Sequence, residues 1–221
     1  MTTTTVTARA VLLDMDGTLV NSDAVVERVW RRWAERHGLL GDDVLKVVHG
    51  RQGHLSMAIL LPERPVAENL AENRLMLAEE AADTEGVVPI AGARAFLEAL
   101  GGFPHALVTS ADDTLARVRM AAAGLPLPPV LVTAELVSAS KPNPEGFLAA
   151  AAMLAVDPAD CLVLEDSEAG VAAGLAAGMR VLGIGPRAGA HGPTFHVPDL
   201  TGVAVAARDG VVSIALPGSR V

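Results

Sequence analysis

The sequence predicts an α/β fold with a parallel sheet, and three observations predict it. Short apolar runs alternate with amphipathic stretches along most of the chain, as when strands buried on both faces lie between covering helices. The helical stretches stop at Gly or just before Pro, residues that end helices for stereochemical reasons. Finally, 51% of the residues are hydrophobic and 19% charged, enough to build a large core without disulfides or structural metals. A chain of 221 residues suits one ordinary domain, or a core domain carrying a smaller insertion.

Taken in order, Ala10-Val11-Leu12-Leu13 is a buried strand, and Asp14-Met15-Asp16-Gly17-Thr18 lies at its carboxyl end. From Ser22 to Gly86 the pattern changes to helices without a convincing strand. Ser22 can cap a helix whose apolar positions Val25, Val26, Val29, Trp30 and Trp33 recur at helical spacing before Gly38. A long helix is expected over Val66–Ala82, after Pro65. Residues 21–86 therefore read as an inserted all-helical cap, and 1–20 with 87–221 as the core.

Further strands are expected at 106–109, 130–133, 161–164 and Arg180–Ile184. Helices are expected at 112–123 before Gly124, 144–156 before Asp157-Pro158, and 168–177 before Gly178. The stretch from Val203 to Leu216, around Arg208-Asp209-Gly210, reads as a β-hairpin with an Asp-Gly turn.

Charge and composition exclude some classes. The net charge is −9, tyrosine is absent, and no Lys/Arg cluster is visible, so a nucleic-acid partner is not expected. An acidic chain that handles an anion must neutralise it locally, with a bound cation and a few placed Lys and Arg residues. Cys161 is the sole cysteine and opens an apolar run, which reads as a buried strand thiol. Met1-Thr2-Thr3-Thr4-Thr5 lacks the charged-then-apolar build of a signal peptide. With no apolar stretch suited to a bilayer, the expectation is a cytoplasmic protein without a membrane partner. No interface is legible, so a monomer or small homo-oligomer is expected.

Asp14 and Asp16 are the central chemical signal. Carboxylates at i and i+2 after a buried strand reach one site if the chain turns, and Gly17 permits the turn. One can attack phosphorus while the other handles protons; a plain Asp-Gly turn uses the same residues without chemistry. Glu165-Asp166-Ser167 also follows an apolar run. Four crowded carboxylates repel unless a cation balances them, and hard oxygen ligands suit Mg²⁺. A helix N-cap is the bland alternative there. Thr109-Ser110-Ala111 precedes a helix, where a hydroxyl and free N–H groups make a phosphate cradle or only a cap. Lys141, between Ser140 and Pro142, can pair with both phosphate and carboxylate, or be solvated surface. Open α/β sheets gather ligands at strand carboxyl ends, and these four signals each follow an expected strand.

Together, Asp14-x-Asp16-Gly17-Thr18, Ser110, Lys141 and Glu165-Asp166 resemble the four motifs of the haloacid dehalogenase superfamily, in its branch with a helical cap after the first motif. The segments 16–22, 30–38, His49-Gly50-Arg51, Val132-Thr133-Ala134-Glu135 and 165–170 are similar to bacterial sugar-phosphate and glycerol-phosphate phosphatases. The resemblance implies a Rossmann-like core and a Mg²⁺-dependent phosphatase acting on a small phosphorylated metabolite. It implies that Asp14 attacks phosphorus to give an aspartyl-phosphate. Asp16 would protonate the leaving alkoxide and then activate water, its carbonyl joining Asp14, Asp166 and Glu165 around the metal. Ser110, Ala111 and Lys141 would grip phosphoryl oxygens, and Thr18, His49, Gly50 and Arg51 would meet the substrate. His54 lies in the same turn, which as a solvated interhelix loop would do none of this.

A phosphosugar mutase of the β-phosphoglucomutase type is the nearest alternative, but Val26 stands where that relative has a proton-transferring histidine. A binding or regulatory protein without turnover is the alternative from another class. Gly183-Ile184-Gly185-Pro186-Arg187-Ala188 mimics a dinucleotide fingerprint, yet no helix is expected over 189–193 to receive the phosphates.

Overall fold

The computed structural model describes residues 4–208 and 210–217. Strands β1 (Thr4–Ala8) and β2 (Ala10–Leu13) follow each other directly. Next come β3 (Val20–Asn21) and four helices, α1 (Asp23–Arg36), α2 (Gly41–Leu45), α3 (Gly53–Leu60) and α4 (Val66–Ala82). The chain returns through β4 (Val88–Pro89), which pairs antiparallel with β3. The helical segment therefore enters and leaves by adjacent strands. Then follow α5 (Ala93–Leu100), β5 (His105–Val108), α6 (Asp113–Ala122), β6 (Val130–Val132) and α7 (Glu145–Met153). The remainder is β7 (Cys161–Glu165), α8 (Glu168–Ala176), β8 (Arg180–Ile184), α9 (Gly185–Ala188), β9 (Phe195–Val197), β10 (Ala204–Arg208) and β11 (Val211–Leu216).

The main sheet is parallel, in the order β6-β5-β2-β7-β8-β9. Side chains alternate across it, as the twofold period of a strand requires. Val11 and Leu13 point to one core, with Phe96 and Leu97 of α5 and Leu115 of α6. Ala10 and Leu12 point to the other, with Phe147 of α7 and Val171 of α8. Strands covered on both faces explain why the expected runs were continuously apolar. The Cys161 side chain lies in the second core, and burial, with Asp160 and Asp157 nearby, pushes its thiol up to about 11. It is a core thiol, not a nucleophile.

Two expectations need correction, and a third, the C-terminal hairpin, is met. Ser22 occupies the position before α1 but makes no capping bond; its hydroxyl serves Asp16 instead. The expected C-terminal hairpin is the antiparallel pair β10–β11, joined by β1 in a separate three-stranded sheet, and its turn residue Asp209 lies outside the described residues. After Gly183 the chain does turn helical, for the single turn of α9 and a 3₁₀ turn at Gly189–His191. The gain from that turn is the placement of Arg187.

Candidate active site

Strand β2 is central, with β5 and β7 on either side, so three neighbouring strands end around one point. Asp14 continues β2, its N–H donating to Leu164 O at 3.0 Å. Gly17 turns the chain at φ +85°, and a Cβ there would strike the Asp166 carboxylate, so only glycine permits both the turn and the approach. Lys141 reaches this point from the loop beyond β6. Its ammonium donates to Asp14 Oδ1 at 2.6 Å, Glu165 Oε1 at 2.7 Å and Val108 O at 3.1 Å. The other Glu165 oxygen accepts from Asp166 N at 2.8 Å, Ser167 N at 2.9 Å and Ser167 Oγ at 3.0 Å. Asp166 accepts from Arg187 Nε at 3.0 Å.

Carboxylate oxygens of Asp14, Glu165 and Asp166 lie within 4.8 Å of one another, all buried. Burial and the neighbouring Glu165 raise the Asp14 pKa well above its ordinary value, against the pull of Lys141. The same two causes push Asp166 up to about 7, against Arg187. Burial disfavours the charge on Lys141, but Asp14 and Glu165 outweigh it and hold its pKa above the ordinary lysine value. Carboxylates this crowded prefer a proton or a cation. A hard divalent ion fits the all-oxygen donor set.

Asp16 faces the same cavity as Asp14. Its Oδ1 accepts from Ser22 Oγ at 2.6 Å, and its Oδ2 from Arg119 Nη1 of α6 at 2.8 Å. Arg119 also pairs with Glu80 of α4. Burial pushes Glu80 up to about 7, more than Arg119 lowers it.

The cavity is closed from the helical segment by α1, α4 and the turn before α3, with Val26, Trp30, His49, Arg51 and Met76 on its wall. The turn rests on the sheet ends: Ser110 Oγ donates to Gly50 O at 3.3 Å and Gln52 N donates to Ser140 Oγ at 3.4 Å. Gly50 has φ +77°, and a Cβ there would strike Ser167. Arg51 Nε is buried without a partner among the described residues, a donor left for a ligand.

Residues 8–178 match the family model described as haloacid dehalogenase-like hydrolase. The chain belongs to the haloacid dehalogenase-like hydrolases. It is similar to hexitol phosphatase A of Escherichia coli, 43% identical over 86% of this chain and 88% of the relative. It is also 36% identical to validoxylamine A 7'-phosphate phosphatase of Streptomyces hygroscopicus, over 80% of this chain and 85% of that protein. A crystal structure of CbbY from Rhodobacter sphaeroides, 19% identical, superposes with a TM-score of 0.75 over 89% of this chain and 96% of that one; that likeness concerns the fold.

Of the residues expected at the site of this hydrolase, Asp14, Asp16, Ser110, Ala111, Asp166, His49, Gly50 and Arg51 line one cavity, and Lys141 joins Asp14 to Glu165 by donating to both. Thr18 does not join them. The turn at Gly17 folds the Thr18 N–H back to Met15 O, and the side chain is fully buried, its hydroxyl without a partner among the described residues. The Ala111 N–H is already given to Thr109 Oγ1 at 3.1 Å, and the cap of α6 is Asp112, not Ser110. His54 is not among the cavity residues. Arg119, Glu80 and Arg187 were missed. The first two did leave a signal: each is a charged residue on its helix's buried stripe, beside Leu115, Ala116 and Met120 in α6 and after Met76 in α4. Arg187 left none, since its one-turn helix has no periodicity to read.

Proposed function

We propose that this hydrolase is a Mg²⁺-dependent phosphatase of small phosphorylated metabolites, with sugar, sugar-alcohol and glycerol phosphates as the substrate class. The observation that carries the reading is Asp14: a buried carboxylate at the end of the central strand, gripped by Lys141, sharing a cavity with Asp16 and lying beside Asp166. The similarity to hexitol phosphatase A and to validoxylamine A 7'-phosphate phosphatase supports it.

Asp14, Asp166 and the Asp16 carbonyl would hold the ion. Glu165, with both oxygens engaged by protein donors, would serve mainly to seat Lys141. Bound Mg²⁺ would offset the charge of the phosphate and of the crowded carboxylates. Asp14 attacks phosphorus, the ester oxygen leaves with a proton from Asp16, and an aspartyl-phosphate remains on Asp14. Asp16, now a base, takes a proton from water, whose oxygen attacks phosphorus and frees Asp14 and inorganic phosphate. Lys141 and Ser110 stabilise charge on the phosphoryl oxygens. Residues 21–86 act as the cap that excludes water, and Arg51 reads the leaving group. Val26, on the cavity wall, cannot transfer protons, which favours hydrolysis over mutase chemistry.

The test is phosphate release from a panel of polyol, sugar and glycerol phosphates, with Mg²⁺ and after chelation. Release that requires Mg²⁺ supports the reading. Return of an isomeric phosphate instead would make the protein a mutase, and silence on every ester would reject the proposal.

A further inference from the structure

We infer that Arg119 is a positioning residue for Asp16, and that Glu80 of the helical segment sets Arg119 in place. This rests on the phosphatase reading and adds to it two residues that no motif contains. Arg119 stands in α6, in the core, and is only 4% exposed. One edge of its guanidinium donates to Asp16 Oδ2 at 2.8 Å, and another nitrogen pairs with Glu80 of α4. With Ser22 Oγ on Oδ1 at 2.6 Å, both oxygens of Asp16 are held, by donors from two different elements.

A guanidinium is a rigid planar fork. Fixing one end on Glu80 fixes the plane and hence the donor offered to Asp16. Glu80 is itself buried on the cavity wall. Nothing else among the described residues bonds the Arg119 side chain, and Nε has no partner, so Glu80 is the sole anchor besides Asp16. An apolar side chain on the stripe with Leu115 and Met120 would pack there without the desolvation cost of three charges. The arrangement therefore contributes orientation more than stability. Because Glu80 comes from the helical segment and Asp16 from the sheet end, the acid is aligned when that segment is seated over the cavity.

The role separates from a structural one by leaving group. A p-nitrophenolate leaves with little help from an acid, whereas a polyol alkoxide needs the proton. Ester cleavage is followed in single turnover with enzyme in excess, so that water activation does not enter, on p-nitrophenyl phosphate and on a hexitol phosphate. Glu80→Gln, Arg119→Met and Arg119→Lys are compared with Asp16→Asn, which sets the signature of a lost acid. Glu80→Gln and Arg119→Met are expected to slow the hexitol ester roughly tenfold more than the nitrophenyl ester, with Arg119→Lys recovering part of the loss. Equal losses on both esters, or a loss confined to substrate binding, would overturn the inference. Glu80→Gln keeps the side-chain shape and decides the matter if Arg119→Met does not fold. If the unaltered protein cleaves neither ester, the phosphatase reading itself fails; if it cleaves both and the variants lose equally, only the role of Arg119 and Glu80 fails.

Discussion

At the scale of single residues, the chemistry depends on charges that would not share a buried space unaided. Asp14 and Asp166 are both pushed towards their neutral forms by burial and by Glu165, while Lys141 pulls Asp14 the other way at 2.6 Å. Asp14→Asn removes the nucleophile but keeps the shape and one acceptor for Lys141. Turnover should fall by at least about a thousandfold while the thermal midpoint stays close to that of the parent. Normal phosphate release from this variant would remove Asp14 from the mechanism. Arg51 presents the opposite case, its Nε without an acceptor among the described residues, beside a His49 whose burial and proximity to Arg187 lower its pKa. Arg51→Ala is expected to cost a polyol phosphate about 1–3 kcal/mol in kcat/KM and p-nitrophenyl phosphate much less. A uniform loss across esters would deny Arg51 a reading role.

At the scale of elements, the site is assembled by strand ends on one side and by the turn from His49 to Gly53 on the other. Gly50 holds that turn in the left-handed region against Ser167. Gly50→Ala should therefore cost about 1–2 kcal/mol at its positive φ, and more through the collision with Ser167. The check is a parallel drop in thermal midpoint and in kcat/KM; an unchanged midpoint would mean that the turn does not sit on the sheet end. What the sequence made legible follows from element length. Helix α4 and strand β8 run over the expected spans, Val66–Ala82 and Arg180–Ile184; β8 buries a continuous apolar run, whereas α4 buries only Asn69, Met76 and Glu80 and takes its start from Pro65. The two-residue strands β3 and β4 and the short β9 offer too few residues for any period to register. The site was legible wherever an acid, hydroxyl or lysine followed a buried strand, since sheet topology alone brings those ends together. Thr18 lies apart from the cavity because the Gly17 turn sends its side chain inward. Arg119, Glu80 and Arg187 act across elements distant in sequence, and no local pattern encodes such partners.

For the whole molecule, the acid cluster ties stability to both protons and metal. A carboxyl whose folded-state pKa is raised keeps its proton after the unfolded chain has lost it. The folded form then binds more protons, and its stability falls as pH rises through that interval. For Asp166 the interval runs from its ordinary value of 3.8 to about 7, and Asp14 is shifted in the same direction. Glu80 adds to the fall, raised to about 7 by burial against Arg119, with Asp16 and Glu79 reinforcing it. Divalent ions compete with the protons on Asp14 and Asp166 but not with the one on Glu80, so the difference between melts with and without Mg²⁺ isolates the cluster. Near pH 5 the cation must displace protons and gains little; near pH 7.5, at roughly a hundredfold its dissociation constant, it should add about 3 kcal/mol, or about 6–12 °C in thermal midpoint for a chain of this size. Asp166→Asn should lose most of that gain at the higher pH while keeping the part of the metal-free pH dependence that Glu80 supplies. A Mg²⁺ effect that is equal at both pH values, or larger in acid, would mean that the ion binds somewhere other than the ends of β2 and β7.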